Sequence, residues 1–178
     1  RFLDFNDSRA RNAEICVNGE KINPWDPFVV GVSEIAANQT MEVEVADGGS
    51  AEFTVTAYIL PRKEEFPSQE QFKEADISVR RQGIYIYREQ RLIVDADWLG
   101  IYSKEPHSNL LRVEFSFDHK LDEAFHLDIM KSQIILNDEL WKWLAEEFLP
   151  APRREANNRY RKGVQKNISE QSKGAHGN

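Results

Sequence analysis

The chain has 178 residues, 40% of them hydrophobic and 30% charged, and carries a net charge of −7. That length supports one sizeable core or two small ones, and no apolar run reaches the length of a membrane span. The acidic balance excludes broad nucleic-acid binding by the whole surface, and a lone cysteine excludes an internal disulfide and suits a cytoplasmic location.

The chain opens on Arg1 and shows no secretory pattern, so it is expected to be a fragment of a longer protein. Its charge is uneven. Residues 153–178 hold seven Lys or Arg and two Glu, about +5, which leaves the body near −12. The expected organisation is an α+β domain over residues 1–149 and a basic polar tail over 150–178. The tail lacks aliphatic periodicity and is expected to be a solvated, fraying helix followed by disorder, with a phosphate-backbone contact to DNA as the sharper alternative.

Ile15 to Val17 reads as a strand entering a tight turn at Asn18-Gly19, where positive φ is cheap. Cys16 in that strand is expected to be an inert buried thiol. Residues 22–28, with Pro24 and Pro27, form an irregular aromatic connection. Met41, Val43 and Val45 alternate with glutamates, and Phe53, Val55, Ala57 and Ile59 alternate with polar or mixed residues. With Asp47-Gly48-Gly49 between them, the two runs predict a hairpin.

Ser68 and Gln71 form a capping box before a short helix through Ala75. Gly83 to Tyr87 and Arg91 to Val94 predict a second strand pair, and Leu111, Val113, Phe115 and Phe117 a further strand. Phe125, Leu127 and Ile129 alternate in a strand ending near Met130. The same alternation places Lys131 on the apolar side, where its charge needs a partner. Asn137 is a good N-cap for a helix presenting Leu140, Leu144 and Phe148 on one face, which Pro150 and Pro152 are expected to end or kink. Strands, a helix, more strands and a closing helix make an α+β pattern, a mixed sheet with helices on one face.

Most chemical motifs are absent. Glu34-Ile35-Ala36-Ala37-Asn38 and Asp47-Gly48-Gly49 mimic parts of an ATPase site, but no strand and helix fit between them and no glycine-rich lid follows. There is no phosphate-binding glycine loop or dinucleotide fingerprint. The histidines at 107, 119, 126 and 176 have no helical i, i+4 pairing, so a metal site is not expected. Tyr85 and Tyr87 could stack bases, although cross-strand packing is the more ordinary role for alternating tyrosines.

The segments fall in a recognisable order: Val17-Asn18-Gly19, Pro24-Trp25-Asp26-Pro27-Phe28, Ala57-Tyr58-Ile59-Leu60-Pro61, Gln82 through Ile93, and Leu127-Asp128-Ile129-Met130-Lys131-Ser132. Together they resemble the region after the ATP-binding domain in bacterial GHKL ATPases, the group of gyrase B, MutL and histidine kinase-like ATP sites. The nearest likeness is to MORC-type members. The resemblance runs from about Glu14 to Ala145, and the Gly83 to Ile93 block is its most specific part.

The resemblance implies a transducer domain with a split β-α-β fold, like the second domain of a ribosomal protein. It implies that Lys131 reaches the γ-phosphate of ATP, bound with magnesium in the ATP-binding domain of the same parent chain. It implies that the parent hydrolyses ATP and closes as an ATP-dependent homodimer. The nucleotide motifs are missing here, so this chain alone is expected neither to bind a cofactor nor to hydrolyse ATP. The competing expectations are a nucleic-acid-binding module built on the tyrosines and the basic tail, and a protein-interaction module without catalysis.

Overall fold

The computed structural model describes residues 16–22, 25–44, 48–124, 128–130, 133–136 and 138–175. Its first element is a small hairpin of β1 (Cys16–Val17) and β2 (Glu20–Lys21). Asn18 and Gly19 between them take φ of 54° and 83°, the two positive values that a tight two-residue hairpin turn requires. Cys16 is exposed, not buried. Among the described residues its strand pairs with β2 alone, outside the large sheet, so alternation there did not mark a core face.

The alternating runs form β3 (Glu34–Glu44) and β4 (Ser50–Ile59), paired from Glu34 opposite Ile59 to Glu44 opposite Ser50. A second hairpin joins β5 (Gly83–Arg88) to β6 (Arg91–Asp97). Its turn residues, Glu89 and Gln90, adopt φ of 48° and 64° without any glycine. Left-handed backbone costs such residues roughly 1–2 kcal/mol each, which the pairing of the two strands offsets. β7 (Leu111–Phe117) inserts between the hairpins, antiparallel to β4 and parallel to β5. The five-stranded mixed sheet has the order β3-β4-β7-β5-β6, and the fold is α+β.

Helix α1 (Gln69–Ala75) joins β4 to β5, and β7 splits that pair. Ser68 caps it, its Oγ accepting from the Gln71 N–H at 3.2 Å. Tyr58 near the end of β4 and Gly83 at the start of β5 both pair with Arg112 of β7, so the chain re-enters at the end where β4 stopped and β5 runs antiparallel to β4. The split is present, but the strands flanking it are opposed, unlike a strict split β-α-β unit.

One face of the sheet carries Phe53, Val55, Ile59, Ile84, Ile86, Val113 and Phe115, all buried in the main core. The chain closes that core with α2 (Lys120–Ala124), α3 (Asp138–Lys142), a π-helical segment Trp143–Phe148 and α4 (Pro150–Ala175). Leu140, Leu144 and Phe148 all point into it, as their spacing predicted. β8 (Asp128–Met130) and β9 (Gln133–Ile135) form a separate antiparallel pair before α3. Asn137 lies outside the described residues.

Pro150 and Pro152 begin a helix as well as ending one. They occupy the first turn of α4, where no intrahelical N–H is required. The tail is a 26-residue helix, and its first half is docked rather than solvated. Ala156 is fully buried in the main core. Arg159 pairs with Glu34 at 2.8 Å and Glu65 at 2.9 Å, and the Asn157 side chain meets Ser108 at 3.1 Å. Ala156 and Tyr160 are the apolar side chains of this docked stretch that meet the core, and neither is aliphatic in the β-branched or leucine sense that a periodicity search detects.

Candidate functional site

Lys131 lies outside the described residues, as do the first residues of the strand expected before it. The described part of that strand is β8, and Met130 pairs with Gln133 of β9. Leu136, directly after β9, is buried in the main core with Leu140, Leu144, Phe148, Leu149 and Ala156. The segment around residue 131 is thus followed by a continuous buried track that runs through α3 into α4.

Trp25, Asp26, Phe28, Tyr58, Tyr85 and Tyr87, from the segments that carry the resemblance, hold the second face of the sheet. The Trp25 indole N–H donates to the Glu74 carbonyl at 2.8 Å, and its ring lies 4.5 Å from the Arg81 guanidinium. The Asp26 carboxylate accepts the N–H groups of Phe28 at 2.9 Å and Val30 at 2.6 Å, fixing the loop. Phe28 stacks on Tyr58 at 4.9 Å and meets Tyr85 edge-on at 5.4 Å. Tyr85 and Tyr87 are buried beneath this loop, so neither is presented for base stacking. The nucleic-acid reading thereby loses its aromatic platform.

Arg112 of β7 is the centre of this face and had no place in the sequence argument. It is fully buried, and its guanidinium donates to the carbonyls of Pro27 at 2.6 Å, Ala75 at 2.7 Å and Asp76 at 3.0 Å. It ties the 25–28 loop and the C-terminus of α1 to the sheet, and a cation suits the negative end of that helix. Burial lowers its pKa from the ordinary guanidinium value, against the raising effect of Tyr85 and Asp76. Burial likewise pushes the Tyr85 phenol up to about 12, while its hydroxyl donates to the Arg81 carbonyl at 2.7 Å.

Gln82 does comparable work at the edge of the core. Its amide donates to the Glu105 carbonyl and to Asn109 Oδ1, both at 2.8 Å, and accepts from the Trp98 indole at 3.3 Å. Gly83 beside it has φ of 132°, and a Cβ there would meet the Ala96 carbonyl carbon at 2.8 Å. The Gln-Gly-Ile-Tyr-Ile-Tyr block is therefore fixed by packing at every position.

A basic groove of about 470 Å³ lies between α4 and the turn at Lys63–Glu65. Arg62, Arg154, Arg159 and Lys162 line it with Glu65, Glu155 and Asn158. Burial pushes the Glu65 carboxyl up, but hydrogen bonds from the Arg62 side chain and backbone and from Arg159 outweigh this and bring it to about 2. Glu65 and two of the groove's arginines, Arg62 and Arg159, thus neutralise each other in part.

The ATPase-like residues Glu34 and Asn38 sit together on edge strand β3, with Glu34 engaged by Arg159. His119 Nδ1 lies 2.6 Å from Glu89, and the His107 ring packs against Tyr160 of α4. Among the described residues no cluster of histidine, cysteine or carboxylate is arranged to hold a metal, and no helix is long and apolar enough to cross a membrane. Compared with models of known families, with curated proteins and with solved structures, the chain matches none.

Proposed function

We propose that this chain is the cytoplasmic transducer module of a larger GHKL-type ATPase, converting ATP occupancy of a neighbouring domain into domain closure or dimerisation. The reading rests on the ordered motifs that end at Lys131. The structural observation that supports it is the buried track from Leu136 through Leu144 to Ala156. A rigid track of this kind passes a displacement near residue 131 to α4, because a close-packed core moves as a unit. In this reading the Lys131 ammonium meets the terminal phosphate of magnesium-bound ATP in the parent, offsetting its charge in the closed state.

The test is made in the intact parent. A charge-assisted hydrogen bond to phosphate contributes about 1.5–3 kcal/mol, so Lys131→Ala is expected to lower ATP turnover on the order of 10- to 100-fold. Lys131→Arg is expected to rescue poorly, since its broad fork does not reproduce a compact ammonium at one oxygen. Wild-type turnover by the alanine variant at saturating ATP would remove Lys131 from the mechanism. A parent without ATPase activity would remove the transducer reading altogether.

A further inference from the structure

Helix α4 carries a row of apolar residues at spacing four, Ala156, Tyr160, Val164 and Ile168. The row begins docked and ends bare. Ala156 is fully buried and Tyr160 half-buried, while Val164 is 42% and Ile168 62% exposed. The change falls at Gly163, where a Cβ would lie 2.9 Å from the stem of Arg62. Beyond that contact α4 continues through Ala175. Arg161 and Lys162, both exposed, stand within one turn of Val164.

The matching surface lies at the opposite end of the sheet. Glu42 on β3 stands directly across from Glu52 on β4, and Glu44 follows two residues on, on the same face. All three are exposed. Like charges opposite one another across two strands are destabilising, so this end gains from an incoming cation. Glu42 and Glu44 line a shallow recess of about 630 Å³ with Gly48, Gly49 and Ser50.

The helix cannot reach this recess in its own chain. It leaves the body beside Arg62, three residues past the end of β4, whereas the recess lies at the start of that strand. Ten strand residues separate the two ends by about 33 Å. We infer that the projecting end of α4 docks on the acidic β3–β4 hairpin end of a second copy of this chain. Val164 and Ile168 supply the apolar contact, and Arg161, three and seven residues before them and so on the same side of the helix, faces Glu42, Glu44 and Glu52.

Two other occupants fit less well. Pairing of two α4 ends would set Arg161 and Lys162 of each copy close to their counterparts. A nucleic-acid backbone would leave Val164 and Ile168 uncovered. The inference is independent of the ATPase reading and requires no nucleotide.

Sedimentation of the 178-residue chain tests it. At low ionic strength a salt-sensitive dimer is expected. Its association should weaken on the order of 10-fold or more as the Debye length falls from about 10 Å at 0.1 M salt to about 3 Å at 1 M. Val164→Ser with Ile168→Ser should give monomers with an unchanged melting temperature, because these side chains are exposed. Arg161→Glu, and Glu42→Lys with Glu44→Lys, should each give monomers, and mixing the two charge-reversed proteins should restore association. Monomers under all conditions, a dimer indifferent to these substitutions, or no recovery on mixing would overturn the proposal. So would a wild-type monomer that retains a labelled DNA duplex through Arg161 and Lys162, which would assign this helix face to nucleic acid.

Discussion

The two faces of the five-stranded sheet are closed by different physics. One is covered by helices through a cluster of aliphatic and aromatic side chains that includes Phe53, Phe115, Leu144 and Phe148. The other is covered by a loop and a short helix whose attachment converges on one buried cation, Arg112, and three backbone carbonyls. Apolar packing is distributed and tolerates exchange of shape at constant volume. A buried charge that hydrogen-bonds to three carbonyls is concentrated, and its loss leaves those carbonyls without their donor. The helix-covered face should therefore yield gradually to substitution and the cation-tied face abruptly.

Arg112→Leu breaks that contrast most sharply. It leaves three carbonyls without their donor, at roughly 1–3 kcal/mol for each that stays buried, so a loss of about 3 kcal/mol or more is expected by denaturant titration. Phe115→Leu on the opposite face keeps most of the apolar volume and should cost less than about 1.5 kcal/mol. If the two losses came out equal, the faces would not differ in kind.

Tyr85→Phe gives the smallest effect, about 0.5–1.5 kcal/mol, through the hydrogen bond to the Arg81 carbonyl. It also carries a pH signature. The folded phenol titrates near 12 against an ordinary value of 10.0, so its neutral form is the one that the fold favours. The associated stability is complete below pH 10 and is lost as pH rises through 12. The phenylalanine variant should lack that component of the alkaline decline, which a pH series of melting temperatures would show.

Elements whose signals are local were legible in the sequence. Asn18-Gly19, the Ser68 cap and the alternation in β3, β4, β5 and β7 each depend on neighbours in the chain, and their pattern carried them, while Asp47, where the expected hairpin turn begins, lies outside the described residues. The missed features are tertiary. Arg112 reads as the polar phase of a half-exposed strand, and only the carbonyls of distant residues make it a buried tie. The parallel pairing of β5 with β7 has no marker in either strand. The docking of α4 relies on Ala156 and Tyr160, on a hydrogen bond between Asn157 and Ser108 and on ion pairs to Glu34 and Glu65, so a search for aliphatic periodicity passes over it. The residue on which the functional reading turned, Lys131, was found by motif order, and it lies outside the described residues.

The π-helical segment Trp143–Phe148 acts as a phase setter for everything that follows it. The Leu149 N–H donates to the Leu144 carbonyl five residues back, at 3.0 Å, so this stretch holds one residue more than an α-helix of equal turns. Leu149 keeps helical backbone angles, and α4 continues directly. Deleting one residue from the segment would restore ordinary pitch and turn all of α4 by about 100° about its axis. Ala156 would swing out of the core, and Arg159 would face away from Glu34 and Glu65. A single inserted residue thus selects which side of a 26-residue helix meets the sheet and, by the same rotation, which side looks outward.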